Sequence, residues 1–302
     1  MCRFKRYRPG FQALFFLAFL GATGSAYGAD PLTAQDQENS PNSSVWLIPE
    51  VTAIRPGTPF TMAVRLELDP GWHNYWQNAG DSGLPTTIEW SLPPGFEAGE
   101  IQWPTPHRIV HLPLVDYGYS REAALLVEVT PPPGLSPGDQ LSLQARVDWL
   151  ICSDICLPAW AELSAEVTVS ADAPIVDPQQ VDLFREARAQ IPNPVADWSF
   201  EAEVTDAGYL LTARRVSGEG AVPDSVYFFP AETSVLDHTT PQIGAGEEGI
   251  LNLELTGSPY ARQPSALLRG VLVAEDGGSW VAGEALTAIE VVVEVAGAPP
   301  PQ

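Results

Sequence analysis

Cys152 and Cys156 are the residues of this sequence best suited to covalent chemistry. Three residues separate them in the apolar stretch VDWLICSDICL (147–157), and the only other cysteine is Cys2, near the N-terminus. A pair at this spacing can form a structural cross-link, bind a metal ion through two thiolates, or open and close as a redox couple. The surrounding sequence bears differently on these three uses.

The short loop between the cysteines favours the redox couple. Stabilisation by a disulfide grows with the length of the loop that it closes, so this pair would contribute little as a cross-link. A metal site needs further ligands, and the four histidines, His73, His107, His111 and His238, all lie far away in sequence. Two thiolates alone suit Cu(I), so a copper site and a structural disulfide both stay open as alternatives.

Acidic residues flank the cysteine pair. Asp148 and Asp154 lie beside the thiols, and no cationic residue occurs between Arg146 and Arg185. A nearby carboxylate raises the pKa of a thiol and disfavours the thiolate. We therefore expect a passive carrier whose disulfide is attacked by a partner's thiolate and whose dithiol reacts within a partner complex. A thiol pKa well below about 7 would contradict this expectation.

The first 28 residues have the features of a secretory signal peptide. Basic residues at positions 3, 5, 6 and 8 precede an apolar run (11–20) and a small-residue cleavage box at 26–28. We expect cleavage to leave an exported chain without membrane insertion, in a compartment where disulfides persist. Its 11 arginines against 38 acidic residues give a net charge of about −27, which argues against nucleic acid and anionic lipid as partners.

The rest of the chain alternates short apolar and polar runs between turns rich in proline and glycine. This alternation is typical of half-buried antiparallel strands, and with frequent turns it predicts an all-β protein built from sandwiches. Candidate strands in the first half are residues 44–51, 60–68, 86–92, 124–130, 141–151 and 161–170.

One segment, DPQQVDLFREARAQ (177–190), has helical character instead. Asp177 is a good N-cap, Pro178 suits the first helical position, and Val181, Phe184 and Arg188 share a face. We interpret residues 173–194 as a helical linker between two β-sandwich domains, 43–172 and 195–296, with a disordered tail at 297–302. The second domain carries no catalytic motif, and its YFFP stretch (227–230) fits a core and edge strand.

Two further stretches contain residues that could take part in chemistry. NAGDSG (78–83) lacks the strand-to-helix context of a phosphate-binding loop, so we interpret it as a turn, and Ser82 has no histidine or aspartate partner at a recognisable spacing. In GWHNYW (71–76), alternation separates Trp72 and Trp76 from His73 and Tyr75. The tryptophans fit the core, while His73 and Tyr75 could line the thiol site.

Three motifs resemble the N-terminal periplasmic domain of the DsbD/ScsB thiol:disulfide interchange proteins. They are DWLICSDICLPAWAEL (148–163), GWHNYWQNAGDSGLPTTIEW (71–90) and the following Trp103-Pro104. The three-residue spacing between the cysteines is similar to that of the ScsB branch. The resemblance covers residues 43–170 and, less distinctively, the second half. It implies immunoglobulin-like sandwiches, a periplasmic location and one reversible disulfide that needs neither a cofactor nor a metal ion.

The resemblance also implies roles for individual residues. Cys156 would join the partner in a mixed disulfide, and Cys152 would resolve it. A cap loop shields the pair in this family, and residues 114–119 match it best, although Asp116 stands where an aromatic residue is expected. The residues expected to cap or line the site are Asp116, Tyr117, Tyr119, His73, Tyr75 and Asp154.

The resemblance implies a protein-disulfide reductase or exchange component that serves thioredoxin-like envelope oxidoreductases. Its relatives continue into transmembrane helices and a thioredoxin domain, whereas this sequence ends at Gln302. We therefore expect a separate membrane electron-transfer protein to reduce it. The alternative is a non-catalytic copper-tolerance or assembly accessory whose cysteines bind Cu(I) or form a structural disulfide.

Overall fold

The structure is a computed structural model that describes residues 35–217, 222–281 and 283–299. The predicted signal peptide and the last three residues of the predicted tail lie outside these ranges. The described chain is all-β apart from one helix, as the alternation predicts. We call strands β1–β13 the N-terminal half and strands β14–β20 the C-terminal half.

Two of the three sheets in the N-terminal half enclose one apolar core. Its strands are β1 (Gln35–Asn39), β2 (Ser43–Pro49), β3 (Val51–Ile54), β4 (Phe60–Leu68), β5 (Asn74–Gly80), β6 (Thr87–Ser91), β7 (Glu97–Gln102), β8 (His107–His111), β9 (Leu114–Tyr119), β10 (Glu122–Thr130), β11 (Gln140–Cys152), β12 (Cys156–Val169) and β13 (Ile175–Val176). One sheet has the order β2-β4-β10-β7, and the other has the order β13-β3-β12-β11-β6 with β1 paired to β12.

The β11–β12 hairpin carries the cysteines at its tip. Its antiparallel register runs without a break from Gln140 opposite Thr168 to Cys152 opposite Cys156. Alternate residues of β11, from Leu143 through Trp149 to Ile151, are buried in the core. Because side chains alternate between the two faces of a strand, Cys152 and Cys156 lie on the face turned away from that core.

A third sheet of three strands, in the order β5-β9-β8, supplies the other side of the cysteine site. The predicted cap loop (114–119) is strand β9 in the structure, paired to β8 on one edge and to β5 on the other. The segment is therefore the second strand of a β8–β9 hairpin whose tip is the cis Leu112–Pro113 peptide. The loop expectation was wrong because the segment pairs on both edges, with β8 across the two-residue turn and with β5, which is remote in sequence.

Helix α1 (Val181–Gln190) begins three residues later than Pro178 would place it. Asp177 accepts a hydrogen bond from the Gln179 backbone instead of capping the helix. Phe184 and Ala187 are buried against the outer face of the β2-β4-β10 sheet, whereas Val181 is 46% exposed. The connecting segment is thus packed on the N-terminal half.

The C-terminal half forms one hydrogen-bonded path of seven strands around a second core. These strands are β14 (Trp198–Val204), β15 (Gly208–Arg215), β16 (Val226–Pro230), β17 (Ile243–Glu247), β18 (Ile250–Thr256), β19 (Leu267–Ala274) and β20 (Ala288–Ala296). The order is β16-β19-β20-β14-β15-β18-β17, so the YFFP stretch lies on an edge strand, as predicted. Phe228 packs into the core of this half.

An apolar cluster joins the two halves. Strand β9 contributes Val115, Tyr117 and Tyr119, and the C-terminal half contributes Tyr227 and Phe229. The Tyr117 and Tyr227 hydroxyls form a buried hydrogen bond of 2.8 Å across this contact. The C-terminal half is therefore packed directly behind the strand that flanks the cysteine site.

Candidate functional site

Cys152 and Cys156 form a disulfide at the end of the β11–β12 hairpin, with their Cα atoms 4.1 Å apart. Residues 153–155 close the loop, where the Ser153 amide donates to the Ile155 carbonyl. The two cysteines differ in exposure: Cys152 is 2% exposed, whereas Cys156 is an exposed residue. An incoming thiolate can therefore approach Cys156, while Cys152 is shielded.

His73 and Tyr75 bring the start of β5 against the disulfide. The backbone of His73 exchanges two hydrogen bonds with that of Cys152, at 2.9 and 2.8 Å. The Tyr75 hydroxyl lies 3.6 Å from the Cys156 sulfur, and the Tyr75 ring is buried with Ala79 beside Cys152. Burial raises the pKa of Tyr75, so its hydroxyl keeps its proton and can donate to the sulfur.

His73 is a neutral residue at physiological pH. It is buried, and its ring contacts those of Tyr75 and His111 at centroid distances of 5.3 and 5.6 Å. Burial, reinforced by His111 and His107, lowers the pKa of His73 to about 4. His73 Nε2 is 4.0 Å from an Asp116 carboxylate oxygen, too far for a hydrogen bond. His73 therefore offers the thiols no imidazolium to activate them.

Asp116 lies on the site side of β9 and is buried. Its carboxylate accepts hydrogen bonds of 2.9 Å from the Ser82 backbone amide and the Ser82 hydroxyl. Burial raises the pKa of Asp116 above its ordinary value, and the hydrogen bonds from Ser82 partly offset this. The Ser82 side chain lowers the pKa of Tyr75 against the effect of burial. Asp116 and Ser82 thus form a hydrogen-bonded pair on the site side of β9.

Tyr117 and Tyr119, the other predicted cap residues, point into the apolar cluster between the halves. The Tyr119 hydroxyl donates to the Pro104 carbonyl at 2.9 Å, and that of Tyr117 pairs with Tyr227. On β9, alternation sends these rings to one face and Asp116 to the other. Of the three β9 candidates, the structure brings Asp116 to the cysteine site and places both tyrosines behind it.

The acidic neighbours of the cysteines have separate environments. Both carboxylate oxygens of Asp148 accept hydrogen bonds from the Arg146 guanidinium, at 2.8 and 2.9 Å. This salt bridge lies four residues up the strand from Cys152, so Asp148 is not the local charge that we expected beside the thiols. Asp154 is exposed within the loop between the cysteines. A passive pair is instead supported by burial of Cys152 and by the neutrality of His73.

Three contributors to the site were missed by reasoning from sequence. Ser82 was interpreted only as part of a turn, although it donates to Asp116. His111 stacks on His73 from the β8–β9 hairpin, and His238 of the C-terminal half binds Asp81, the neighbour of Ser82, at 2.9 Å. Nothing in their sequence spacing signals these contacts, because each depends on pairing between distant segments.

The described residues contain neither a metal-binding cluster nor a membrane-spanning helix. Within residues 35–217, 222–281 and 283–299, no three His, Cys, Asp or Glu side chains are grouped so that they could hold a metal ion. Helix α1, the one helix in these ranges, has ten residues and is too short to span a bilayer.

The fold and the site define an all-β, immunoglobulin-like protein with an accessible hairpin-tip disulfide. Residues 45–168 match the family model "Thiol:disulfide interchange protein DsbD, N-terminal". This part of the chain, which contains the disulfide, is therefore a DsbD/ScsB-like N-terminal domain, and the predicted resemblance is confirmed. It is a domain of the thiol:disulfide interchange type.

Comparison with solved structures extends the fold assignment beyond this segment. The N-terminal periplasmic domain of ScsB from Proteus mirabilis aligns with a TM-score of 0.56 at 15% identity, covering 84% of this chain and 94% of that chain. A variant of BcpA, the major pilin subunit of Bacillus cereus, aligns at 10% identity over 86% of this chain and 68% of that chain, but its TM-score of 0.28 carries no weight. No curated protein sequence matches the chain.

Proposed function

We propose that this protein is a periplasmic thiol:disulfide interchange protein that relays reducing equivalents through the Cys152–Cys156 disulfide. The observation that carries the proposal is the unequal exposure of the pair, with Cys156 accessible and Cys152 buried. The DsbD-type domain and the likeness to the periplasmic ScsB domain support the location and the redox role. The predicted signal peptide agrees with export.

In the reduction step, a partner thiolate attacks the Cys156 sulfur. A bond forms between these two sulfurs, the Cys152–Cys156 bond breaks, and Cys152 leaves as a thiolate that takes up a proton. The partner's second cysteine, as a thiolate, then attacks the partner sulfur that is bonded to Cys156. This releases Cys156 as a thiolate. The partner becomes a disulfide and the pair becomes a dithiol, so two electrons have moved.

In the donation step, the sequence runs in reverse. The Cys156 thiolate attacks the disulfide of a thioredoxin-like acceptor, and the Cys152 thiolate then attacks Cys156. The intramolecular disulfide re-forms and the acceptor leaves as a dithiol. Tyr75 can donate a hydrogen bond to Cys156 while that sulfur carries negative charge. A membrane electron-transfer protein as donor and thioredoxin-like envelope proteins as acceptors complete the proposal.

Mixed-disulfide trapping tests this proposal. Without the resolving sulfur, the Cys152→Ala variant should accumulate a covalent complex with an oxidised thioredoxin-fold protein that has a Cys-x-x-Cys site. The matched Cys156→Ala variant keeps only the shielded cysteine and should accumulate far less. The reduction potential should also lie above about −300 mV, since structural disulfides lie below that value. A far lower potential together with no trapped complex would refute the redox role.

Titration of the reduced protein with Cu(I) tests the alternative function. A copper-binding accessory would bind the ion tightly through both thiolates, and either cysteine variant would abolish binding. A redox carrier would instead be distinguished by complex formation in the Cys152→Ala variant alone.

A further inference from the structure

The C-terminal half carries no chemistry of its own that the sequence reveals, yet several of its groups hold the segment behind Tyr75. We propose that this half is a positioning element: through Asn78 and the Asp81–His238 pair it holds residues 78–83, and thereby the Tyr75 hydroxyl, against Cys156. The inference rests on the proposed function, and it assigns positioning roles to three residues outside the disulfide.

Asn78 is the first link between the halves. Its side chain is fully buried, and its amide nitrogen donates to the carbonyl oxygens of Pro230 and Glu232 at 2.8 and 3.1 Å. Its amide oxygen accepts from the Gly80 backbone at 3.1 Å. A buried amide whose donor bonds both end in the other half ties the end of β5 to β16 and the residues after it.

Asp81 is the second link. One carboxylate oxygen is 2.9 Å from Nδ1 of His238, and the other accepts from the Val115 backbone at 2.8 Å. His238 is buried, and its ring packs edge-on against Tyr117 with centroids 4.9 Å apart. Asp81 therefore joins three elements: the 78–83 segment, strand β9 and the C-terminal half.

The held segment contacts the site directly. Ser82, next to Asp81, donates to Asp116. Gly83 has a φ of +82°, and a Cβ atom added there would lie 2.2 Å from the Tyr75 ring. The backbone of Gly83 thus lies against the ring of Tyr75, whose hydroxyl is 3.6 Å from the Cys156 sulfur. A shift of this segment would move the hydroxyl away from the sulfur.

The interface could instead serve stability alone, and two substitutions of His238 separate these roles. His238→Phe keeps a ring against Tyr117 but loses the bond to Asp81. His238→Asn keeps a donor near the Nδ1 position but loses the ring. In a Cys152→Ala background, where Cys156 titrates alone, positioning predicts a Cys156 thiol pKa about one unit higher in His238→Phe, close to the effect of Tyr75→Phe, and little change in His238→Asn.

Asn78→Ala should also raise the Cys156 pKa, and combining His238→Phe with Tyr75→Phe should add little to either single change, because both act through one hydroxyl. Tyr227→Phe is the matched control: it removes a hydrogen bond in the same interface without touching residues 78–83. It should lower the midpoint of urea unfolding and leave the thiol pKa unchanged.

Folded His238→Phe and Asn78→Ala proteins with an unaltered Cys156 pKa would overturn the inference. It would also be overturned if Tyr227→Phe shifted the pKa as much as they do, since the effect would then reflect general loosening. The titration needs no partner protein. A positive titration would therefore uphold the positioning even if the missing mixed disulfide and the low reduction potential described above refuted the relay. An unaltered Cys156 pKa with a trapped complex would do the opposite.

Discussion

Replacing Tyr75 by phenylalanine should raise the pKa of the Cys156 thiol. The Tyr75 hydroxyl is 3.6 Å from the Cys156 sulfur, and burial raises its own pKa, so it remains a protonated donor while the thiol titrates. A hydrogen bond to a charged group contributes about 1.5 to 3 kcal/mol. Cys156 is exposed and the contact is long, so we take the lower limit, which corresponds to about one pKa unit.

The change in reaction rate should be smaller than the change in thiolate population. At a pH below both pKa values, the thiolate fraction falls about tenfold when the pKa rises by one unit. The remaining thiolate is more nucleophilic by about threefold, because nucleophilicity rises with thiol pKa. Attack on a small aromatic disulfide should therefore slow by about threefold at fixed pH.

The assay is a pH titration of thiolate absorbance in the Cys152→Ala background, repeated with Tyr75→Phe. Tyr119→Phe is the matched control, since it removes a buried hydroxyl that bonds the Pro104 carbonyl rather than the sulfur. We expect the control to titrate like the parent. If the Cys156 pKa is the same in the Tyr75 variant and the parent, the assigned hydrogen bond is refuted. If it is lower in the variant, the Tyr75 hydroxyl disfavours the thiolate instead of stabilising it.

Three further outcomes are expected. Reducing the disulfide should lower the free energy of unfolding, measured by urea titration, by about 2 kcal/mol, because the loop that it closes is short. A loss above about 4 kcal/mol would instead indicate a structural cross-link. Because the folded-state pKa of His73 is about 4 against 6.5 unfolded, the unfolded chain binds more protons between these values. The free energy of unfolding should therefore rise by up to about 3 kcal/mol from pH 4 to 6.5. His73→Phe should flatten this rise. Asp116, whose pKa is raised, makes the free energy of unfolding fall with rising pH, and it does so in both proteins. Phe184→Ala should cost about 3 to 5 kcal/mol of stability, while exposed Val181→Ala should stay within about 0.5 kcal/mol; equal losses would contradict the helix orientation.

Short-range patterns in the sequence were enough to predict several of the strands, although not β9. Residues 60–68 form β4 with the predicted bounds, and 141–151 and 161–170 correspond to the cysteine hairpin. These predictions succeed because side chains alternate with period two wherever one face of a strand is buried. The helix start was misplaced because Asp177 bonds locally to the Gln179 backbone, a turn contact that competes with capping.

The sequence was less informative about which candidates surround the disulfide. The resemblance predicts a loop over residues 114–119 and so groups Asp116, Tyr117 and Tyr119 as one cap. As a strand, the segment divides them: Asp116 faces the cysteine site and the tyrosines face the C-terminal half. Alternation alone would have separated them, but pairing with β5 and β8 had first to make the segment a strand.

By itself the sequence determined the chemistry available: a cysteine pair with a three-residue loop, in an acidic all-β chain with a recognisable interchange motif. Only the tertiary structure decided which sulfur is accessible, because exposure of Cys156 and burial of Cys152 depend on β5 crossing the hairpin tip. It alone also brought His238 to Asp81, 157 positions away. Local patterns specify which face of a strand a side chain occupies, whereas the group that meets that face is chosen by long-range packing.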